Sequence, residues 1–595
     1  MFQQVADFLT CSFFFALLYA DFTNCAKFFQ HPDDFSPTVD YDFVVAGGGT
    51  AGLVVATRLG ENPKWKILII EAGPSNDDVF ATHVPGLSPG PEIDWNYTTT
   101  RQAHLNGRDM EYSQAKILGG CSSHNGMIYT RGSKDDWDRW ADLTGNEEFR
   151  WDKILPLMMK GERFTKDIEN QPVEGRFDPT VHGLHGKLSV TVSPLNVTNP
   201  FNDLLLQVTE DPGMNDEFPF LLDLNGGKPL GIGWRPATMT HNGERSSSAT
   251  AYLGTTNDNV HVLLNTFVTR VLPAGDNKTD FRVVEFAADP QSPRVQVKAR
   301  KEVIVAGGVI GSPQILLKSG IGKREELEAV GIKTLVNNPA VGKNFSDHAM
   351  VPAEFDTSLP TTNYDIDAAI AEWNKTHMGP ASHSGHLNHV VWVRLPKNIS
   401  LGAADPTGGE DSPHIELSLV SINARTPEMI ATESEGTVLR VSTVNLHPIS
   451  RGSITLNSSD PFSYPLIDVN LLAQDLDYVI LREALRSAQR LFSAPSFESS
   501  VKAVISPPAN VTSDDELDAY IRSKVTAWIH GVGSLSMSPH GTSHGAVDPD
   551  FRVKGTQGLR VVDASIIPST ASGHTQAVVY GLAESASLTI ARLWQ

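Results

Sequence analysis

Cysteine is nearly absent, with three residues in a chain of 595: Cys11, Cys25 and Cys121. So few thiols exclude a disulfide framework and a cysteine-based zinc site, and a chain of this length can rely on its apolar core instead. Basic charge is also in short supply. Lys and Arg total 48 against 69 Asp and Glu, a formal net charge of −21, which repels phosphate backbones and anionic lipid and excludes nucleic acid as a partner. Beyond the first thirty residues no apolar run approaches the roughly 20 residues that span a bilayer. Low-complexity tracts and fixed-period repeats are missing as well. The expectation is a soluble protein of more than one folding unit, with no membrane attachment.

Residues 1–25 read as a secretory signal peptide. An apolar block from Cys11 to Ala20 precedes small and polar residues around Thr23-Asn24-Cys25-Ala26, although Met1 to Thr10 lacks the usual Lys or Arg. Cys121 is then the one thiol expected in the mature chain, buried and inert. Eight Asn-x-Ser/Thr sequons, at Asn96, Asn196, Asn277, Asn344, Asn374, Asn398, Asn457 and Asn510, agree with a secreted, extracellular glycoprotein.

What the sequence does contain starts at Tyr41. The β-formers Phe43-Val44-Val45-Ala46 meet Gly47-Gly48-Gly49-Thr50-Ala51-Gly52, and apolar residues then recur at helical spacing through Leu59. A second strand, Lys66-Ile67-Leu68-Ile69-Ile70, ends on Glu71 and Ala72, about 20 residues after the glycine cluster. This is the dinucleotide-binding βαβ pattern. Gly47 serves the tight turn, Gly49 lets the backbone approach a pyrophosphate at the helix N-terminus beside Thr50 and Ala51, Gly52 permits close packing, and Glu71 accepts from ribose hydroxyls. The pattern alone leaves FAD and NAD(P) open.

Two further apolar runs, Val303-Ile304-Val305-Ala306 and Leu559-Arg560-Val561-Val562, suit interior parallel strands. If they complete the same sheet, the nucleotide domain is discontinuous. The expected division is a Rossmann-type FAD-binding domain of 38–149, 241–350 and 525–595. A second, substrate-binding domain of 150–240 and 351–524 would be built on a mostly antiparallel sheet with helices, giving an α/β chain that is α+β overall.

Four blocks lie in order along the chain. They are the Gly47 fingerprint, the run Ala115-Lys116-Ile117-Leu118-Gly119-Gly120-Cys121-Ser122-Ser123-His124-Asn125-Gly126-Met127, the run Gly311-Ser312-Pro313-Gln314-Ile315-Leu316, and a C-terminal block from His530-Gly531-Val532-Gly533 through Val562-Asp563-Ala564-Ser565 to Ser572-Gly573-His574-Thr575-Gln576. In this order they resemble the glucose–methanol–choline (GMC) oxidoreductases. The segments Gln30-His31-Pro32-Asp33-Asp34 and Arg245 to Leu253 are similar to the pyranose dehydrogenase subgroup of that family.

The resemblance implies FAD, covalently attached through His124, with Asn125 and Gly126 at the ring. It also implies Val268 on the adenine side and Asp563 and Gln576 on ribityl or ring positions. Its paired histidines fall on His530 and His574. Oxidising an alcohol carbon needs a proton acceptor for the hydroxyl and a hydride acceptor for the carbon. His530 is expected as the base, flavin N5 as the hydride acceptor, and His574 as a hydrogen-bonding partner of the same hydroxyl. The helix opening at His574 would direct its N–H groups at the flavin and favour reduction. Trp528 and Ile529 either flank a sugar ring or belong to the core.

The activity implied is oxidation of ring hydroxyl carbons of mono- and oligosaccharide aldopyranoses, with electrons passed to quinones, organic radicals or metal ions, by a monomer. The alternatives are an aryl-alcohol or sugar oxidase using oxygen and a non-redox flavin-containing lyase. Two other signals are set aside. Gly541-Thr542-Ser543-His544-Gly545 matches a nucleophile elbow but lacks the preceding strand and following helix. His182-Gly183-Leu184-His185-Gly186 reads as a glycine-rich loop, without a metal.

Overall fold

The computed structural model describes residues 26–166, 173–192, 200–383, 387–402, 404–423 and 436–595. The expected signal peptide and the sequon at Asn196 lie outside the described residues.

Two eight-stranded sheets organise the chain. Across the first, the order is Lys27–Phe29, Val260–Leu263, Ile67–Ile70, Tyr41–Ala46, Val295–Val305, Val283–Ala287 and Phe267–Leu272, with Leu559–Val561 also paired to Val295–Val305. Val44 pairs with Leu68 on one side and Val303 on the other, all in parallel register. Tyr41–Ala46 and Ile67–Ile70 are buried along their whole length, as their apolar runs Phe43–Ala46 and Ile67–Ile70 require, and the buried Asp42 accepts from Lys66 N–H and Arg300. The downstream runs at Val303 and Leu559 are buried parallel strands, Val303–Val305 between two partners and Leu559–Val561 paired with Val303–Val305 alone.

The sheet is nonetheless mixed. Val295–Val305 pairs antiparallel with Val283–Ala287 through its first half and parallel with Tyr41–Ala46 through its second. Its far edge is Lys27–Phe29, alongside Val260–Leu263 and N-terminal to the boundary expected at 38. The fingerprint helix Thr50–Gly60 packs against the C-terminal helix Thr575–Trp594, which also meets the helix Trp151–Gly161.

The second sheet runs Val501–Ser506, Ala349–Thr357, Thr437–Asn445, Ile415–Asn423, His389–Val393, Gly231–Trp234 and Phe220–Leu221. It is antiparallel except for its last pair. Ala349–Thr357 alternates strictly between buried and partly exposed residues, the period of a strand with one covered face. The helix Asp475–Phe492 covers it, burying Leu476, Ile480, Leu481, Ala484, Leu485, Ala488 and Leu491 at helical spacing. This sheet begins two residues before the expected 351 boundary and takes in Thr526–Ala527, placed by sequence in the other domain.

Among the described residues no helix is long and apolar enough to cross a membrane. Six of the described sequon asparagines are exposed, and Asn344 is the exception. Its amide donates to Ser536 Oγ at 2.7 Å and the Pro568 carbonyl at 3.0 Å and accepts from Arg451 Nε at 3.0 Å. That side chain is committed to the fold, which removes it from the set expected to carry glycans.

Candidate active site

A cavity of about 450 Å³ is lined by the fingerprint turn, parts of 113–128, Thr266 to Val268, Ala306 to Gly311, Trp528 to Gly531, and residues of the C-terminal block. Every residue expected at the site lines it except Gly52. Gly52 acts from behind: a Cβ there would stand 2.1 Å from the Gly47 carbonyl oxygen, so only glycine lets the helix sit this close to the turn. Gly47 itself has φ of +116° and no room for a side chain against the Ala306 carbonyl.

Gly49 caps the helix without any side-chain hydrogen bond. Gly49, Thr50 and Ala51 line the cavity, so the first-turn N–H groups suit an anionic diphosphate. At the end of the next strand the Glu71 carboxylate accepts from the Gly48 and Gly73 N–H groups at 2.8 Å each. Burial pushes its pKa up to about 7 in spite of those two donors. Asp563 accepts from Gly308 N–H, Ser312 Oγ and Ser565 N–H, and burial raises it as well.

Also lining the cavity, the rings of Trp528, His530 and His574 form a triangle with centroids 4.9 to 5.0 Å apart. Ile529, between two of them, has φ of +61°, an outlying conformation for a β-branched residue that costs about 1–3 kcal/mol. Hydrogen bonds on both sides hold it: Trp528 N–H to the His348 carbonyl and His530 N–H to Asp347 Oδ1, both 2.9 Å. His530 Nδ1 lies 3.0 Å from His348 Nδ1, and His574 Nε2 lies 3.0 Å from Glu416 Oε1. Burial, then the neighbouring His574 and His348, hold His530 well below the usual imidazole range, so it is neutral at pH 7.

His124 also lines the cavity, with Nε2 3.4 Å from Ser113 Oγ and 3.9 Å from Asp94 Oδ2. Burial lowers its pKa more than Asp94 raises it, which leaves a neutral, nucleophilic imidazole. Asn125 and Gln576, both lining the cavity, are joined to each other and to its wall. The Asn125 amide donates to Gln576 Oε1 at 3.0 Å, Gln576 donates to the Ile128 carbonyl at 2.7 Å, and Arg245 donates to the Asn125 carbonyl at 2.5 Å. These side chains brace the cavity wall. The helix from Thr575 has no side-chain cap, and Thr575 and Gln576 open onto the cavity.

The same architecture is found in known proteins. GMC oxidoreductase domains match residues 41–350 and 448–583. The chain belongs to the GMC oxidoreductase family. It is 57% identical over 599 residues to a pyranose dehydrogenase of Agaricus campestris, covering 99% of this chain and all of that one. It is 54% identical over 603 residues to pyranose dehydrogenase 3 of Leucoagaricus meleagris, covering both chains in full. Among solved structures, an Aspergillus oryzae formate oxidase superposes with a TM-score of 0.82 at 27% identity, over 94% of this chain and 99% of that one. A fungal aryl-alcohol oxidase, 24% identical with a TM-score of 0.81 over 93% and 99%, shares the fold.

GMC oxidoreductases bind FAD, and the fingerprint turn, the uncapped Thr50 helix and Glu71 fit its dinucleotide half. Several residues of this GMC site escape sequence reasoning. Trp95, Tyr97 and Phe267 form an aromatic wall, with Trp95 stacked on Tyr97 at 5.8 Å and edge-on to Phe267 at 5.8 Å. The i, i+2 spacing of Trp95 and Tyr97 was the one available signal. For His348, Asp347 and Glu416 there was none, because their partners are 158 to 183 residues away. Cys121 is half-buried at the cavity wall, short of the full burial expected, with its thiol pKa raised. His182, read as part of a plain loop, is a buried bridge between Glu162 and Asp223 at 2.5 and 2.9 Å. The elbow-like Gly541–Gly545 stretch lies in an irregular loop with Ser543 exposed.

Proposed function

We propose that this chain is a secreted, FAD-dependent pyranose dehydrogenase that oxidises ring hydroxyl carbons of aldopyranoses and passes the electrons to quinones, radicals or metal ions. The observation that carries the reading is the triangle of Trp528, His530 and His574 lining the same cavity as a dinucleotide turn. Identity of 57% to a pyranose dehydrogenase over nearly the whole chain supports the substrate class.

Bound FAD supplies the hydride acceptor. His530, neutral and facing the cavity, takes the hydroxyl proton as the carbonyl forms. His574 hydrogen-bonds the same oxygen and holds it between the two imidazoles. Trp528 presents an aromatic face to the apolar side of the sugar ring, while Ile529 narrows the pocket beside it. His124 would hold the flavin covalently, Val268 and the Glu71 carboxylate would contact its adenosine side, and Asn125, Gly126, Asp563 and Gln576 would contact its ribityl or ring side. The enzyme is read as a monomer with a nucleotide domain of 38–149, 241–350 and 525–595 and a substrate domain of 150–240 and 351–524, adjusted so that Lys27–Phe29 joins the first and Ala349, Met350, Thr526 and Ala527 join the second.

Anaerobic mixing of the purified protein with a panel of monosaccharides tests this reading. Sugars should bleach the flavin, benzoquinone should restore its colour faster than oxygen does, and the products should be keto sugars or lactones. Absence of bleaching would point to a lyase, and rapid reoxidation by oxygen with peroxide release to an oxidase.

A further inference from the structure

We propose that His348 is a positioning residue that fixes which ring nitrogen of His530 carries hydrogen, and so keeps the other free to take the substrate proton. The inference rests on His530 being the proton acceptor.

It follows from two contacts at the ends of one ring. His348 is fully buried on the strand side of the site, and its Nε2 lies 3.1 Å from the Ala571 carbonyl oxygen. A carbonyl oxygen can only accept, so Nε2 carries the hydrogen. Burial, reinforced by the nearby His447 and His574, lowers the His348 pKa to about 3, so the ring is neutral and its Nδ1 bears a lone pair. That lone pair faces His530 Nδ1 at 3.0 Å, a contact that is a hydrogen bond only if His530 Nδ1 is the protonated nitrogen. His530 is then left with an unprotonated Nε2 for the cavity that it lines.

Nearby acidic groups do not compete for this proton. Asp347 accepts the backbone N–H of His530 and the Tyr112 hydroxyl, and Glu416 accepts from His574 and Trp392. When Nε2 of His530 takes a proton, its Nδ1–H bond to His348 becomes charge-assisted and strengthens. The Ala571 carbonyl lies three residues before His574, so the chain of bonds ties the two histidine loops together.

The test compares four variants by anaerobic stopped-flow reduction of the bound flavin with glucose. His348→Leu removes the acceptor, and the limiting reduction rate should fall on the order of 10–100-fold, with sugar affinity and flavin content little changed. His348→Asn places a carbonyl oxygen near the position of Nδ1 and should recover most of the rate. His348→Gln carries its amide one carbon further and should not. A His348→Leu rate within threefold of wild type would overturn the proposal, as would equal rates for Asn and Gln. The Asn and Gln pair decides the matter even if the Leu variant does not fold. His530→Ala is measured beside them: full activity there removes His530 as the base, whereas an inactive His530→Ala with an unimpaired His348→Leu refutes only the role of His348.

Discussion

Nε2 of His574 lies 3.0 Å from Oε1 of Glu416, across 158 residues of sequence. Glu416 is fully buried, and its other oxygen accepts the indole N–H of Trp392 at 2.8 Å. An acceptor at Nε2 obliges that nitrogen to carry hydrogen and leaves Nδ1 of His574 for the cavity. The two cavity imidazoles are therefore held by different means, His530 by a neutral ring and His574 by a carboxyl group.

Replacing Glu416 should affect both chemistry and folding. Glu416→Ala leaves two buried donors without partners, at about 1–3 kcal/mol each, and should lower the thermal midpoint. Glu416→Gln keeps the volume but turns an amide NH2, itself a donor, toward one of the two N–H donors, so flavin reduction by sugar should slow on the order of 10-fold. Stopped-flow reduction and melting curves measure the two effects. An unchanged reduction rate in Glu416→Gln would remove the carboxylate from the catalytic apparatus.

Loss of the proton acceptor should be more severe than loss of its support. His530→Ala is expected to cut turnover by roughly 10²–10⁴-fold while retaining flavin. Steady-state rates with a sugar and benzoquinone, normalised to the 450 nm absorbance, provide the comparison.

The proposed tether at His124 predicts that flavin stays with the denatured chain. Acid precipitation of the wild type should carry the yellow colour into the pellet, and the same treatment of His124→Ala should leave it in solution. Colour released completely from the wild type would exclude the tether.

The His182 bridge makes stability depend on pH. Burial alone would lower this imidazole, but Glu162 and Asp223 outweigh it and push the pKa up to about 9. The folded state then binds a proton that the unfolded chain gives up near 6.5, so the contribution is complete below 6.5 and is lost as pH rises through about 9. That interval corresponds to about 3 kcal/mol. Thermal midpoints taken from pH 6 to pH 9.5 should decline in the wild type. In His182→Gln the midpoint should start lower and lose this dependence, and parallel curves for the two proteins would contradict the assignment.

Much of the nucleotide half was legible because its determinants are local. A strand, a glycine turn and a helix lie within twenty residues, and the φ of Gly47 and the tight approach at Gly52 are properties of that turn. Parallel strands buried on both faces announce themselves as apolar runs, which is how Val303 and Leu559 could be joined to Tyr41. The mixed character of the sheet is written in Val295–Val305, whose first part alternates polar and apolar residues and whose last three are continuously apolar, and the strand changes partners along that shift.

Sequence by itself determined the dinucleotide turn and its parallel strands, because these rest on residue types at short spacing, while the pair His530 and His574 and the second, antiparallel sheet came from the resemblance of ordered blocks to a family. Only the tertiary structure decided that Glu416 holds His574, that His348 faces His530, that His182 bridges two carboxylates and that the Asn344 amide is bound within the fold. Such pairings depend on where distant segments meet. A hydrogen bond between side chains more than a hundred residues apart has no periodicity or local composition to announce it, and it exists only once the two sheets have packed.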